Sequence, residues 1–136
     1  MTSSREKPRR PHPLRWLIEP LTEEADFFER PMFGCHACYL HGRLALVLAA
    51  QEEPWNGLLI PTEKQFHDSI MLEFIGVGQH PVLKKWLYLS QASDDFEASG
   101  AAIVEAVMRN DLRIGVEPRE KSSKKSMRSL SSKRQN

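Results

Sequence analysis

The sequence predicts an α+β domain, with an antiparallel sheet of about four strands and helices packed on it. Three observations lead to this class. Segments with apolar residues at helical spacing are interspersed with short runs rich in aliphatic and aromatic residues. The dipeptide His41-Gly42 separates two of these runs, which is typical of an antiparallel hairpin. The 136 residues, 40% of them hydrophobic, suffice for a single small domain with one core.

The first helical pattern follows a Pro-rich start. Apolar residues recur at helical spacing from Leu14 to Phe28, but Pro20 interrupts the pattern. Proline lacks a backbone N–H and is tolerated only in the first turn of a helix. We therefore expect a short segment that ends near Glu19, and a helix that begins near Pro20 and ends at Arg30-Pro31.

Three strands are expected next. Residues 32–40 and 43–50 form the arms of the hairpin, and Gly42 supplies the positive φ of its turn. Residues 44–48 are continuously apolar, which predicts a strand buried on both faces. A third short strand covers residues 57–61.

A second helix and a fourth strand follow. Thr62 and Gln65 have the spacing of a capping box, and Phe66, Ile70 and Phe74 then line one helical face. The aromatic-rich residues 82–89 predict the fourth strand.

The last helix is expected after Ser93, which stands at an N-cap position, and it ends near Asn110. Gly100 lies on its apolar face and would permit close approach to the sheet. Residues 112–116 then form a short terminal strand or an extended docking segment.

The net charge of +1 conceals a strong asymmetry. Residues 1–15 carry five basic groups and one acidic group, a net charge of +4. Residues 119–136 carry seven basic groups and one acidic group, a net charge of +6, and the remainder has a net charge of −9. We predict disordered basic tails at 1–13 and 119–136, around a domain at 14–118, because the tails lack the apolar residues that folding requires.

The C-terminal tail is a candidate for weak nucleic-acid binding through phosphate contacts. The alternative is a solubilising terminus that folds back on the acidic body, and no aromatic residue among its cations is available for base stacking. The candidate nucleic-acid-binding residues are Arg119, Lys121, Lys124, Lys125, Arg128, Lys133 and Arg134.

Other partners and the location follow from what the sequence lacks. No run approaches the roughly 20 apolar residues that cross a bilayer, so no membrane association is expected. The basic, Pro-rich N-terminus has no apolar core of a signal peptide, and only two cysteines occur, which favours the reducing cytoplasm. Exposed strand edges make a homodimer plausible.

The segment richest in reactive groups contains Cys35, His36, Cys38 and His41. Two thiols and two imidazoles are potential zinc ligands, or a redox pair. Strand geometry opposes both roles, because residues three apart on a strand point to opposite faces and no helix pattern follows Cys38. We expect structural cysteines, with a metal or redox protein as the alternative.

No signature of a known catalytic or nucleotide-binding site occurs in the sequence. The adjacent pairs of acidic residues are interpreted as solvated or helix-capping groups. We therefore expect neither catalytic residues nor a cofactor.

The stretch Arg30-Pro31-Met32-Phe33-Gly34, followed by Tyr39, Gly42-Arg43 and an apolar strand, resembles the N-terminal domain of the bacterial TfoX/Sxy family. The resemblance extends over residues 14–116 and includes Trp86-Leu87-Tyr88-Leu89 and a helix at 94–109. Its motif residues are structural types, with Met32 and Phe33 anchoring a strand and Gly34 allowing a bulge or close contact. Cys35 and Cys38 depart from the pattern.

The resemblance implies a small cytosolic α+β domain, and together with the lack of a catalytic signature it leads us to expect a non-enzymatic protein. Some members of the family regulate competence gene expression, so a protein-interaction or regulatory module acting through an unidentified protein partner is expected. The family's separate C-terminal domain is not expected, because only the basic tail follows Pro118.

Overall fold

A six-stranded antiparallel sheet with helices packed on it is the centre of the structure, a computed structural model that describes residues 12–32 and 34–118. Its strands are β1 (Phe28–Met32), β2 (Cys35–Leu40), β3 (Arg43–Ala50), β4 (Asn56–Ile60), β5 (Gly78–Gln79) and β6 (Leu87–Ser90). Their spatial order is β1-β2-β3-β4-β6-β5, and every pair is antiparallel. The α+β class is therefore confirmed, with six strands rather than about four.

Three helical segments accompany the sheet. A 3₁₀ helix (Arg15–Glu23) precedes β1, a short 3₁₀ turn (Lys64–Phe66) leads into α1 (His67–Glu73), and α2 (Phe96–Met108) follows β6. Among the residues that the structure describes, no helix is long and apolar enough to cross a membrane.

The predicted helix from Pro20 to Arg30 is wrong. Pro20 lies inside the 3₁₀ helix, and a bend and a turn at 24–26 separate this helix from β1, which begins at Phe28. β1 is an edge strand, where Pro31 is tolerated because an edge strand lacks a hydrogen-bonding neighbour on one side. The apolar spacing up to Phe28 therefore belongs to a shorter helix followed by a strand.

The hairpin of β2 and β3 is confirmed. His41 and Gly42 have φ values of 55° and 78°, the two positive values that a type I′ turn requires. The first arm begins at Cys35 rather than at residue 32, because Gly34 turns the chain from β1 into β2 with φ 74°. The β-bulge of this sheet is not at Gly34 but in β3, where Ala45 is the extra residue in the pairing with β2.

The helix caps that the sequence predicts at Thr62 and Ser93 are not formed. The hydroxyl of Thr62 donates to the carbonyl of Arg113 at 2.6 Å, so Thr62 does not form the expected capping box. Ser93 Oγ accepts a hydrogen bond from the N–H of Asp95, and α2 begins only at Phe96. The predicted strand at 82–89 is reduced to β6.

The sheet is buried on both faces, as predicted for β3. Cys38, Leu46, Leu48 and Leu58 belong to the larger core, which the helices cover. Gly100 approaches the 3₁₀ helix rather than the sheet, since a Cβ there would lie 3.1 Å from Leu17 Cδ1. The opposite face, with a smaller core, is covered without helices by half-buried side chains. These are Met32, Trp55, Leu83, Trp86, Tyr88 and Val116.

Residues 1–11 of the predicted N-terminal tail and the whole predicted C-terminal tail lie outside the described residues, as does Phe33, whereas His12 and Pro13 are described. Of the terminal strand or extended segment expected at 112–116, only Val116 pairs, in an isolated antiparallel bridge with Leu44, because residues 112–114 form a turn and a bend.

Candidate functional site

Cys35 and Cys38 lie on opposite faces of β2. Cys35 belongs to the smaller core, whereas Cys38 belongs to the larger core beneath the helices. This is the separation that a strand imposes on residues three apart. Both are free cysteines, and the two thiols do not face a common point.

Burial suppresses the acidity of both thiols. It raises the pKa of Cys35, and it raises the pKa of the fully buried Cys38 to about 12, with the Glu29 carboxylate adding to the effect. A nucleophilic or metal-binding cysteine needs thiolate character and access. Cys38 has neither at neutral pH.

His36 belongs to an ionic network around Glu29. Its Nε2 lies 2.5 Å from Glu29 Oε1, and Arg15 Nη2 lies 2.7 Å from Glu29 Oε2. Burial alone would raise the pKa of Glu29, but the hydrogen bonds from Arg15 and His36 outweigh it and hold this pKa below its usual value. The network ties the 3₁₀ helix to β1 and β2.

His41 lies apart from this network, in the hairpin turn, where its Nδ1 is 2.8 Å from Asp26 Oδ2. Among residues 12–32 and 34–118, no group of three or more Cys, His, Asp or Glu side chains is arranged to hold a metal ion. The structure therefore distributes Cys35, His36, Cys38 and His41 over separate environments.

The motif residues that carry the family resemblance have packing and turn roles. Tyr39 is buried and stacks on Phe28 with ring centroids 4.7 Å apart, and Arg30 lies over both rings. Met32 is half-buried at the end of β1. Gly34 and Gly42 occupy the two turns of the β1–β2–β3 meander.

A buried histidine that sequence analysis did not single out is His80. It is 0% exposed, and its ring lies 4.6 Å from that of Trp55. Its Nδ1 accepts hydrogen bonds from the N–H groups of Val82 and Leu83, while Nε2 donates to the carbonyl of Pro54. All the hydrogen-bonding capacity of the neutral ring is used, so His80 has a structural role.

The outward face of α2 is an exposed surface among the described residues. We define the α2 surface as the exposed residues Glu97, Ala98, Ala101, Ala102, Glu105 and Met108 of this helix, together with Trp16 beside it. Exposed faces of helices usually carry charged side chains, and here three alanines occupy the middle. The buried face of α2 is recognisable in the sequence from the helical spacing of Phe96, Gly100, Ile103 and Val107. The residues on the opposite side of the same helical pattern could therefore have identified this surface.

Trp16 forms one flank of the α2 surface. Its ring contacts Phe96 edge-on, with centroids 6.3 Å apart, yet 49% of Trp16 is exposed. A recess of about 300 Å³ lies beside it, lined by Asp94, Phe96 and Glu97 among others. The backbone carbonyl of Ile75, a residue that is 66% exposed, accepts a hydrogen bond from Oγ of the buried Ser99 of α2 at 2.6 Å.

Two large exposed apolar residues, Trp16 and Met108, therefore accompany the exposed alanines of α2. Isolated exposed apolar residues are ordinary, whereas several around one element are typical of an interaction surface. The candidate nucleic-acid-binding residues from Arg119 to Arg134 lie outside the described residues.

Comparisons with known proteins found no relative of this chain. No family model, no curated protein and no solved structure matches this chain. The resemblance to the TfoX N-terminal domain therefore stays a prediction from residues 14–116.

Proposed function

We propose that this chain is a cytoplasmic, non-enzymatic protein-interaction module of the TfoX N-terminal type, with a regulatory role, and that it binds its partner through the α2 surface. The observation that carries the proposal is the half-exposed Trp16 beside a helix face with no covering element among the described residues. Tryptophan is enriched at the energetic centres of protein interfaces.

The environments of the reactive side chains support binding over catalysis. Cys38 is buried with a strongly raised pKa, and His36, His41 and His80 are each engaged by a neighbour. A catalytic histidine or cysteine needs a vacant approach for substrate. The α2 surface, in contrast, presents exposed side chains that include the half-exposed Trp16.

Site-specific photocrosslinking tests the proposal. A photoreactive residue at Ala102 of the full chain, expressed in cells, should form a discrete protein adduct on irradiation. The matched control places the same residue at Lys84, which is exposed on a loop distant in sequence from α2. Trp16→Ala should weaken the adduct at Ala102. Equal adducts at both positions, or none, would contradict the proposal.

A second candidate function rests on the charge asymmetry, since residues 119–136 carry a net charge of +6. We propose weak, salt-dependent binding of nucleic acid through this segment. The full chain should bind duplex DNA, with affinity that decreases as salt increases, and a chain ending at Pro118 should bind less tightly. Equal affinity of the two chains, or no binding by either, would dismiss this role.

A further inference from the structure

The imidazole of His12 closes the turn that leads into the 3₁₀ helix. Its Nδ1 accepts a hydrogen bond from the N–H of Leu14 at 3.0 Å, and the His12 carbonyl accepts one from the N–H of Arg15 at 2.9 Å. A side-chain acceptor that binds the N–H two residues further on is the arrangement that Asn and Asp usually supply in turns. An imidazole can take this role only when Nδ1 carries no proton, so the hydrogen bond requires the neutral ring.

His12 lies beside the ionic network around Glu29. It is half-buried, and its ring centroid is 5.6 Å from that of His36 on β2. The other charged groups of this cluster are Glu29 on β1 and Arg15 and Glu19 in the 3₁₀ helix. One oxygen of Glu29 already binds His36 and the other binds Arg15, and among the described residues no carboxylate pairs with His12. An additional positive charge on His12 would therefore have a like charge, and no counterion, next to it.

Protonation of His12 in this place has two unfavourable consequences. The imidazolium cannot accept the N–H of Leu14, and its charge lies beside His36. We propose that His12 is a pH-dependent latch, which holds the start of the described chain against β2 while its ring is neutral and leaves β2 when the ring is protonated. Burial and the charge of His36 hold the pKa of His12 below its usual 6.5. The closed latch is therefore favoured above pH 6.5 and is lost as the pH falls below it.

Leu14 limits how far the opening extends. Its side chain is 2% exposed in the larger core, and Leu17 follows it into the same core. Removing a buried leucine from the core costs more than the protonation of one half-buried imidazole supplies. The opening therefore ends at Pro13. Residues 1–11, which carry four basic groups and one acidic group for a net charge of +3, join the domain at His12, so the latch fixes the point from which this basic segment departs.

Nuclear magnetic resonance of the full chain between pH 8 and pH 4.5 tests the latch. The backbone order parameter of His12 should fall from about 0.85 to below about 0.6, with a midpoint at the pKa of the His12 ring itself. Glu29 stays ionised over this range, because its pKa lies below 4.5. Leu17, whose N–H donates to the Leu14 carbonyl at 2.9 Å, should stay near 0.85 and so shows that the domain remains folded. A His12 that is equally ordered at both pH values would overturn the inference.

Two variants identify the groups responsible. His12→Asn supplies an acceptor that does not titrate, so residue 12 should remain ordered at pH 4.5. His36→Gln keeps a donor for Glu29 but removes the neighbouring positive charge, and it should raise the midpoint by about half a pH unit, the effect of a unit charge at 5.6 Å in water. His41→Gln is the matched control, because His41 pairs with Asp26 in the hairpin turn, and its midpoint should equal that of the wild type.

The same variants define the contrary results. If residue 12 of the His12→Asn chain becomes disordered in acid, another group causes the opening and His12 is not the latch. If His36→Gln leaves the midpoint where it is in the wild type, or if His41→Gln moves it as far, the pairing of His12 with His36 does not control the opening.

Discussion

Leu44 and Val116 form an antiparallel bridge in which each backbone N–H donates to the carbonyl of the other, at N···O distances of 2.9 and 3.0 Å. β4 pairs with β3 only from Val47 to Ala50, so Val116 satisfies the part of β3 that β4 leaves open. The N–H of Gly115 also donates to the Pro61 carbonyl at 2.7 Å. The end of the described chain is thus an integral part of the sheet.

Thr62→Val should lower the free energy of unfolding by about 1–2 kcal/mol, because it leaves the carbonyl of Arg113 without its donor. Thr62 is 2% exposed, so water cannot readily replace the hydroxyl. Urea unfolding measures the change. Thr22→Val is the matched control, since its hydroxyl donates to the Glu19 carbonyl at an exposed position, and its effect should stay below about 0.5 kcal/mol. Equal losses in the two variants would contradict the assigned role.

Gly57→Ala should destabilise the protein by at least about 2 kcal/mol. Gly57 has a φ of 144°, and a Cβ there would lie 2.3 Å from the backbone carbonyl oxygen of Leu89 on β6. Gly78→Ala is the control, because a Cβ at Gly78 meets nothing within 4 Å, and its effect should be within about 1 kcal/mol. Thermal unfolding followed by circular dichroism compares the two. A Gly57→Ala protein as stable as wild type would show that β4 and β6 can separate freely.

His80 should make stability depend on pH near neutrality. Burial lowers the pKa of His80 below 6.5, so below that pH the unfolded chain binds a proton that the folded chain does not. The contribution of neutral His80 to the free energy of unfolding should be complete above pH 6.5, and it should decrease as the pH falls below 6.5. His12, whose pKa burial and His36 also lower, contributes in the same window. His80→Asn should flatten this slope relative to His12→Gln, and an unchanged slope would exclude His80 as its source.

Glu29 should produce a separate loss of stability in acid. Its pKa lies below the ordinary 4.5, so its contribution is present above pH 4.5 and disappears as the pH falls through the lower folded value. Asp111, whose pKa the hydrogen bonds from Arg113 lower, acts in the same direction. Unfolding free energies between pH 6 and pH 3 should decrease less steeply for Glu29→Gln than for the wild type. Parallel curves would mean that Arg15 and His36 do not stabilise the carboxylate in solution.

Cys38 should be unreactive towards thiol reagents in the folded chain. Its thiol is 0% exposed and has a pKa of about 12, whereas Cys35 is 6% exposed on the other face of the sheet. Aromatic disulfide reagents at pH 8 should modify at most one thiol per folded chain, and both after unfolding in urea. Cys35→Ser should remove the native reaction. Rapid modification of both thiols in the folded wild-type protein would contradict this prediction and support the redox alternative.

Patterns that depend on one strand or one turn were predictable from sequence. The apolar run of β3, the positive φ of Gly42 and the opposite placement of Cys35 and Cys38 follow from backbone geometry within the hairpin. The helix at Phe96–Met108 follows from the spacing of its buried residues. The limits of β1 were not predictable, because an edge strand of mixed polarity has neither helical nor alternating periodicity.

The sequence by itself determined the α+β class, the central hairpin and the separation of acidic and basic segments, because these depend on local spacing and charge. Only the tertiary structure decided that Thr62 binds Arg113, that Arg15 and His36 share Glu29, and that Trp16 stands beside an uncovered face of α2. These contacts join residues distant in the chain, and which of many polar or apolar groups meet is decided by packing of the whole domain.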